Sequence, residues 1–235
     1  MWNACLKKSV PCVTLAAFMT LNAAPSHAQS FSLSVFPELS LVAIKAVDAP
    51  ALHTENGKTG MASCERYGHG IIIDPSGIIV TSTHIIAAAR HIYVALTGGK
   101  TFEATVLYTS KADFSFIKIN AHSLLKAIAW GDSSGVQVGN PVVALANSKS
   151  TLGGEITSLI KDTPSGNVEL LELKLNLKPG DSGGPILNEQ GCLLGLIMAN
   201  RKSDNSKSYA IASNKIQQEY FKYKGSVLIG TNALL

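Results

Sequence analysis

The chain has 235 residues, 46% of them hydrophobic and 15% charged, with a formal charge of +4. That balance suits one globular unit or two small ones with a real core. So small a net charge gives no indication of nucleic acid as a partner.

The first thirty residues carry Lys7 and Lys8, an apolar run from Val10 to about Ala24, and small residues ending at Ala28. This is the layout of a cleaved secretory signal, expected over residues 1–28. A membrane anchor would need roughly 20 apolar residues, and Pro11, Thr14, Thr20 and Asn22 interrupt this run. No stable membrane anchor is therefore expected after cleavage. Removing residues 1–28 takes away two of the twenty basic side chains and none of the sixteen acidic ones, so the formal charge falls from +4 to +2. Cys64 and Cys192 remain in an oxidising compartment, where they either form a disulfide or stay as two buried thiols.

From residue 29 onward, short β-branched runs alternate with turn chemistry. LSLVAIKA (39–46), YGHGIIID (67–74), GIIVTS (77–82), HIYVALT (91–97), TFEATVLY (101–108) and FSFIKI (114–119) make a first group. A second comprises NPVVALA (140–146), GGEITSLIK (153–161), NVELLELK (167–174), GPIL (184–187), CLLGLIMA (192–199) and SYAIA (208–212). Asp74-Pro75-Ser76-Gly77 sets a type I turn, and Thr97-Gly98-Gly99-Lys100 a tight hairpin. The expectation is an all-β chain of antiparallel strands, closed into one barrel over about 39–119 and another over about 139–212, because closure removes exposed edges. Two helices are expected, a brief one at about 85–90 and a short C-terminal one in SNKIQQEYFKY (213–223), with Ser213 as its cap and Ile216, Tyr220 and Tyr223 at helical spacing. Residues 48–66 and 203–208 read as loops, the first of them mobile.

Two Gly-Asp-Ser stretches stand out, WGDSSGVQVG (130–139) and LKPGDSGGPIL (177–187). A serine hydroxyl becomes a nucleophile only when a base takes its proton, an acid orients that base and N–H donors await the oxyanion. Gly180 lets the backbone turn so that its N–H and that of Ser182 converge on one oxygen, and Gly183 and Gly184 are expected to leave space for substrate. Ser133 has no glycine pair after it and reads as a turn former. Among His53, His69, His84, His91 and His122, only His84 closes one apolar strand and opens another apolar run, the setting of a catalytic base; the others read as structural. Asp113 opens FSFIKI, where a solvated carboxylate would be out of character, and is the expected orienting acid ahead of Asp48 and Asp74.

GHGIIIDPSGIIVTSTHII (68–86), HIYVALTGGKTFEATVLYTSKADFSFIKI (91–119), AIAWGDSSGVQVGNPVVAL (127–145), GEITSLI (154–160), LKPGDSGGPILNEQGCLLGLI (177–197) and SYAIASNKI (208–216) together resemble the trypsin-like serine proteases, in particular their HtrA/DegP branch. The resemblance implies two six-stranded antiparallel barrels with the site at their interface. It also implies His84, Asp113 and Ser182 as the triad, with the backbone of Gly180 and Ser182 as oxyanion hole. By resemblance alone, Asn176 forms the floor of the primary specificity pocket and Met198, Ala199 and Asn200 its wall, which favours a modest uncharged side chain before the scissile bond. Protein or peptide substrates are implied, and no metal or other cofactor. Export to the periplasm or medium is expected, along with a homo-oligomer to which Phe31 and Phe36 contribute. The rival reading is a non-catalytic binding or chaperone role on a protease scaffold.

The sequence departs from the branch in two ways. HtrA proteins usually add PDZ domains, whereas the expectation here is a peptidase domain over 29–235 without one. The branch usually has asparagine before the serine, whereas Asp181 stands here, as in digestive trypsin-like enzymes, where the acid pairs with an amino terminus freed by cleavage. No such activation sequence is visible, so Asp181 is expected to be satisfied by other donors.

Overall fold

The structure, a computed structural model, describes residues 37–55, 58–146, 150–161, 167–198 and 207–232. The expected signal sequence, Phe31, Phe36, Ala199 and Asn200 lie outside them.

In chain order the first half carries β1 (Leu41–Asp48), β2 (Ala51–Glu55), β3 (Lys58–Ala62), β4 (Glu65–Asp74), β5 (Ile78–Ser82), the one-turn helix α1 (Thr83–Ile86), β6 (Ala89–Leu96), β7 (Thr101–Thr109) and β8 (Phe114–Ile119). The second half carries β9 (Pro141–Ala146), β10 (Ser150–Lys161), β11 (Val168–Lys174), β12 (Pro185–Leu187), β13 (Leu193–Ile197), β14 (Ser208–Ala212) and the long helix α2 (Ser213–Asn232). Strands β1, β4, β5, β8, β7 and β6 close one antiparallel barrel, and β10, β11, β14, β13, β12 and β9 close the other. The expected architecture of two six-stranded barrels is the observed one.

Burial explains why some strands are continuously apolar and others alternate. Ile72, Ile79, Ile117 and Ile119 point into the first barrel with Val42, Ile44 and Val94. Their neighbours Ile71, Ile73, Ile78, Val80, Phe114 and Phe116 point the other way, into a cluster shared with Leu145, Leu187, Leu193 and Leu196 of the second barrel. Strands β4, β5 and β8 are thus buried on both faces, which requires apolar residues at successive positions. The middle of β7 has an outer face in solvent, with Ala104 buried between half-buried or exposed neighbours. Ile216 and Tyr220 of α2 reach into the same shared cluster. The Tyr220 ring meets Phe116 edge-on at 5.6 Å, and its hydroxyl donates to Asp74 at 2.6 Å.

Four expectations need correction. Residues 48–66 are not simply a loop, because β2 and β3 form an antiparallel hairpin with Glu55 opposite Lys58. The two residues between that pair are Asn-Gly in the sequence, the dipeptide most favoured in two-residue hairpin turns. The helix after β5 begins at Thr83 and stops at Ile86, because Ala88 takes a left-handed φ of 61° and Ala89 already pairs with Asp48. Strand pairing overrides the helix propensity of the alanine run. Helix α2 is twenty residues long, and Ser213 does not cap it. The Ser213 hydroxyl donates to the Gly131 carbonyl, while the Asn214 N–H donates to the Ser133 hydroxyl at 3.1 Å. Finally, Cys64 and Cys192 form no disulfide and are not both buried, since Cys64 is exposed and Cys192 half-buried.

Candidate active site

The first barrel presents His84 from α1, just past the end of β5. Its ring Nδ1 lies 2.8 Å from Asp113 Oδ2, and its backbone N–H donates to Asp113 Oδ1 at 3.0 Å. One carboxylate therefore fixes both the main chain and the ring of the histidine. Because a carboxylate accepts, Nδ1 carries the proton and Nε2 is left with a lone pair. Asp113 precedes β8 with a left-handed φ of 64°, a conformation aspartate tolerates better than most residues. Its carbonyl accepts from the Thr83 N–H, and Thr83 in turn hydrogen-bonds Ser115 at 2.9 Å. Asp113 is less buried than its apolar neighbours suggest, with 30% of its side chain exposed, because it sits at the strand's mouth and not within it. The other side of the turn is held by Arg66, which donates to the carbonyls of Ile85 and Ala87 and grips Asp48 through its two terminal guanidinium nitrogens at 2.7 Å. Asp48 and Asp74, the poorer candidates for the orienting acid, are thus engaged elsewhere.

The second barrel presents Ser182 in the turn before β12. Gly180 takes a φ of 101° and Gly183 one of 79°, both open to glycine at little cost. The Asp181 N–H donates to the Lys178 carbonyl at 3.0 Å, and the Gly184 N–H donates back to the Asp181 carbonyl at 3.1 Å. The Asp181 side chain is buried, and its Oδ2 accepts the Lys178 N–H at 2.7 Å. The expected alternative donor is thus a backbone amide three residues upstream. Among the described residues, the N–H groups of Gly180 and Ser182 donate to no acceptor and the Ser182 hydroxyl has no hydrogen-bond partner. Such contacts commonly tighten only when substrate is bound.

Gly183 and Gly184 do not clear a path for substrate. A Cβ on Gly183 would lie 2.1 Å from the His69 carbonyl oxygen, and one on Gly184 about 3.0 Å from that of Asp181. The missing side chains admit the protein's own backbone. Gly68 closes the seam between the two halves of the site, since a Cβ there would meet Ile85 at 2.4 Å and the Ser182 carbonyl at 3.0 Å. The residue after His84 and the carbonyl of Ser182 pack on the same glycine. Ser82, just before α1, also donates across the seam to the Ile197 carbonyl.

Asn176 is exposed between the buried Leu175 and Leu177. Met198 is half-buried and shares with Asp113 the lining of an open cavity of about 410 Å³. The structure does not place Asn176 among the residues lining that cavity. No helix among the described residues is long and apolar enough to cross a membrane.

Two closed antiparallel barrels with a histidine–aspartate pair on one and a Gly-Asp-Ser-Gly-Gly turn on the other define the two-barrel peptidase class. The chain belongs to the trypsin-like peptidase domain family, whose model matches residues 68–196, more than half of its length. It is 34% identical over 155 residues to the HhoA protein of Synechocystis, covering 61% of this chain and 39% of that one. The "Serine protease HTRA2, mitochondrial" of Bos taurus is 32% identical over 169 residues, 67% of this chain and 36% of its own. A DegP-like protein of Rickettsia prowazekii, named as a probable periplasmic serine endoprotease, is 30% identical over 69% of this chain and 35% of its own. The match thus spans little more than a third of these relatives. In fold, the chain resembles an HtrA-type protease AlgW variant determined with a decapeptide, with a TM-score of 0.67 at 18% identity, covering 79% of this chain and 64% of that one.

Proposed function

We propose that the chain is an exported serine endopeptidase that cleaves unfolded or exposed protein segments through an acyl-enzyme. The observation that carries this reading is the double grip of Asp113 on His84, across the Gly68 seam from a serine whose hydroxyl and neighbouring N–H groups have no partner among the described residues. His84 Nε2 takes the Ser182 proton as Oγ attacks the scissile carbonyl. Asp113 holds the tautomer and stabilises the imidazolium that forms, and the Gly180 and Ser182 N–H groups receive the oxyanion. His84 then gives its proton to the leaving amine, and a water deprotonated by His84 releases the acyl group. Export is supported by the signal-like sequence of residues 1–28 and by likeness to a relative named as periplasmic. A preference for an uncharged residue before the scissile bond is consistent with Asn176 and Met198, neither of which carries a charge.

The test is digestion of casein or a denatured protein by the native chain and by Ser182→Ala. Activity is expected to fall roughly ten-thousandfold or more in the variant. Equal cleavage by both would remove Ser182 from the mechanism. A native chain that cleaves nothing but suppresses aggregation would favour the binding role. Mapping the cut sites reads the preference, and cleavage mainly after Lys or Arg would count against it.

A further inference from the structure

His69 lies in β4 with 6% of its surface exposed, and the scheme above gives it no part. Its backbone N–H donates to the Ser182 carbonyl at 2.9 Å, and its own carbonyl accepts from the Thr81 hydroxyl at 2.7 Å. Its ring Nδ1 lies 2.8 Å from the Gly180 carbonyl oxygen. A carbonyl can only accept, so Nδ1 carries the proton in this contact. One residue of the first barrel therefore holds the carbonyls on both sides of the Asp181–Ser182 peptide.

That double hold bears on the direction of the neighbouring N–H groups, because in a trans peptide the N–H and C=O point opposite ways from one rigid plane. The peptide from Gly180 to Asp181 is held at its oxygen by His69 and at its N–H by the Lys178 carbonyl. The peptide from Asp181 to Ser182 is held at its oxygen by the Gly184 N–H, which turns the Ser182 N–H away from that contact. The peptide from Ser182 to Gly183 is held by the His69 N–H and by the Ile197 carbonyl. The Gly180 N–H belongs to the peptide just upstream of these three, joined to them through one glycine α-carbon. Nothing lies within 4 Å of where a Cβ on Gly180 would stand, so packing does not fix its backbone there. Hydrogen bonds must do so.

We propose that His69 is a positioning residue for the oxyanion hole: its Nδ1–H bond to the Gly180 carbonyl fixes the peptide after Gly180 and so aims the Gly180 N–H before substrate arrives. The proposal rests on the reading of Ser182 as nucleophile. Its reach is catalytic because a misdirected donor weakens binding of the oxyanion and leaves ground-state binding largely alone.

The test uses the full chain and the variants His69→Leu, His69→Asn and His69→Gln, measuring kcat and KM on a peptide substrate, the rate of labelling by a serine-directed phosphonate, and Tm. Asparagine places its amide nitrogen close to the position of Nδ1, whereas glutamine carries it one bond further out. The Leu and Gln variants are expected to lose about ten- to a hundredfold in kcat, with KM within about twofold, while Asn stays within about threefold of the native chain. Labelling rates should follow kcat, and Tm should not separate Asn from Gln. If the Leu variant fails to fold, the contrast between Asn and Gln decides. Equal kcat for Asn and Gln, or a loss carried by KM alone, would overturn the inference while leaving the nucleophile intact. A native chain that is not labelled at Ser182 would overturn the nucleophile reading, and the inference with it.

Discussion

The chain contains Gly-Asp-Ser twice, and the two copies do opposite things with the same groups. In the copy at residues 131–133, the aspartate carboxylate and the N–H and hydroxyl of the serine are all used for holding. The Asp132 carboxylate accepts from the N–H and hydroxyl of Ser134 and from the Asn214 side chain. Ser133 donates its N–H to Asn214 Oδ1 and accepts the Asn214 N–H on its buried hydroxyl, capping α2 from outside the helix. In the copy at residues 180–182, the aspartate faces inward to one backbone amide, and two N–H groups and a hydroxyl have no partner among the described residues. The holding there is done by the neighbours: His69, Lys178, Gly184 and Ile197. The turn proposed as reactive differs from the structural one in which groups its surroundings leave available, and the tripeptide itself carries no such information.

The largest test of that contrast is a methyl group on the following glycine. Gly183→Ala must displace the β4 backbone from a position 2.1 Å away at a φ of 79°. Denaturant unfolding should show a loss of roughly 3 kcal/mol or more, with activity lost. Gly135→Ala, whose nearest neighbour is Asp132 Oδ2 at 3.8 Å, should stay within about 0.5 kcal/mol.

A smaller effect separates the two aspartates' surroundings. Asp181→Ala leaves the Lys178 N–H without its acceptor and should cost about 1–3 kcal/mol together with activity. Asp181→Asn keeps an acceptor oxygen in place, so turnover within about threefold of the native chain is expected from the preserved bond. Equal loss in both variants would mean that the charge, and not the hydrogen bond, holds the loop.

Acid should act on the structural side of the comparison. Burial raises the Asp74 carboxyl, but hydrogen bonds from Ser76 and Tyr220 and the contact with Lys224 outweigh it and hold the group well below the usual carboxylate range. Hydrogen bonds from Ser134 and Asn214 likewise lower Asp132. Both pKa values are lower in the folded state than the ordinary value of 3.8, so the stability they supply is present above about pH 4 and lost as pH falls further. Both groups fasten α2. Thermal melts should therefore show Tm declining below pH 4, and Asp74→Asn should lower Tm at pH 7 while flattening that decline. A modest effect is expected for Ser133→Ala, a lost helix cap of about 1 kcal/mol with kcat/KM unchanged.

The barrels were legible because turns such as Asp74–Gly77 and the doubly buried isoleucine runs act locally. The turn at Asp74 is closed by the Gly77 N–H onto the Asp74 carbonyl at 3.0 Å, as its residues require. The β2–β3 hairpin carried a legible signal in Asn56-Gly57 that was outweighed by the polar character of residues 48–66. His84 and Asp113 could be paired from their strand-end positions. Other features were hidden for physical reasons. The cap on α2 comes from Ser133, 81 positions away, and the partner of Asp181 is a backbone amide that no residue type announces. Gly183 invited a reading as substrate space, yet the space is taken by β4. His69 resembled any structural histidine, because its role depends on which carbonyl its ring meets across 111 positions.

The contacts of Tyr220 and Lys224 with Asp74 close loops of 146 and 150 positions, the longest-range side-chain hydrogen bonds among the described residues. Such loops carry a large ordering entropy, offset only once the barrels between their ends are in place. They also involve residues that leave the ribosome after every strand of both barrels. The latch between α2 and the first barrel can therefore close only after the last strand of both barrels has been made.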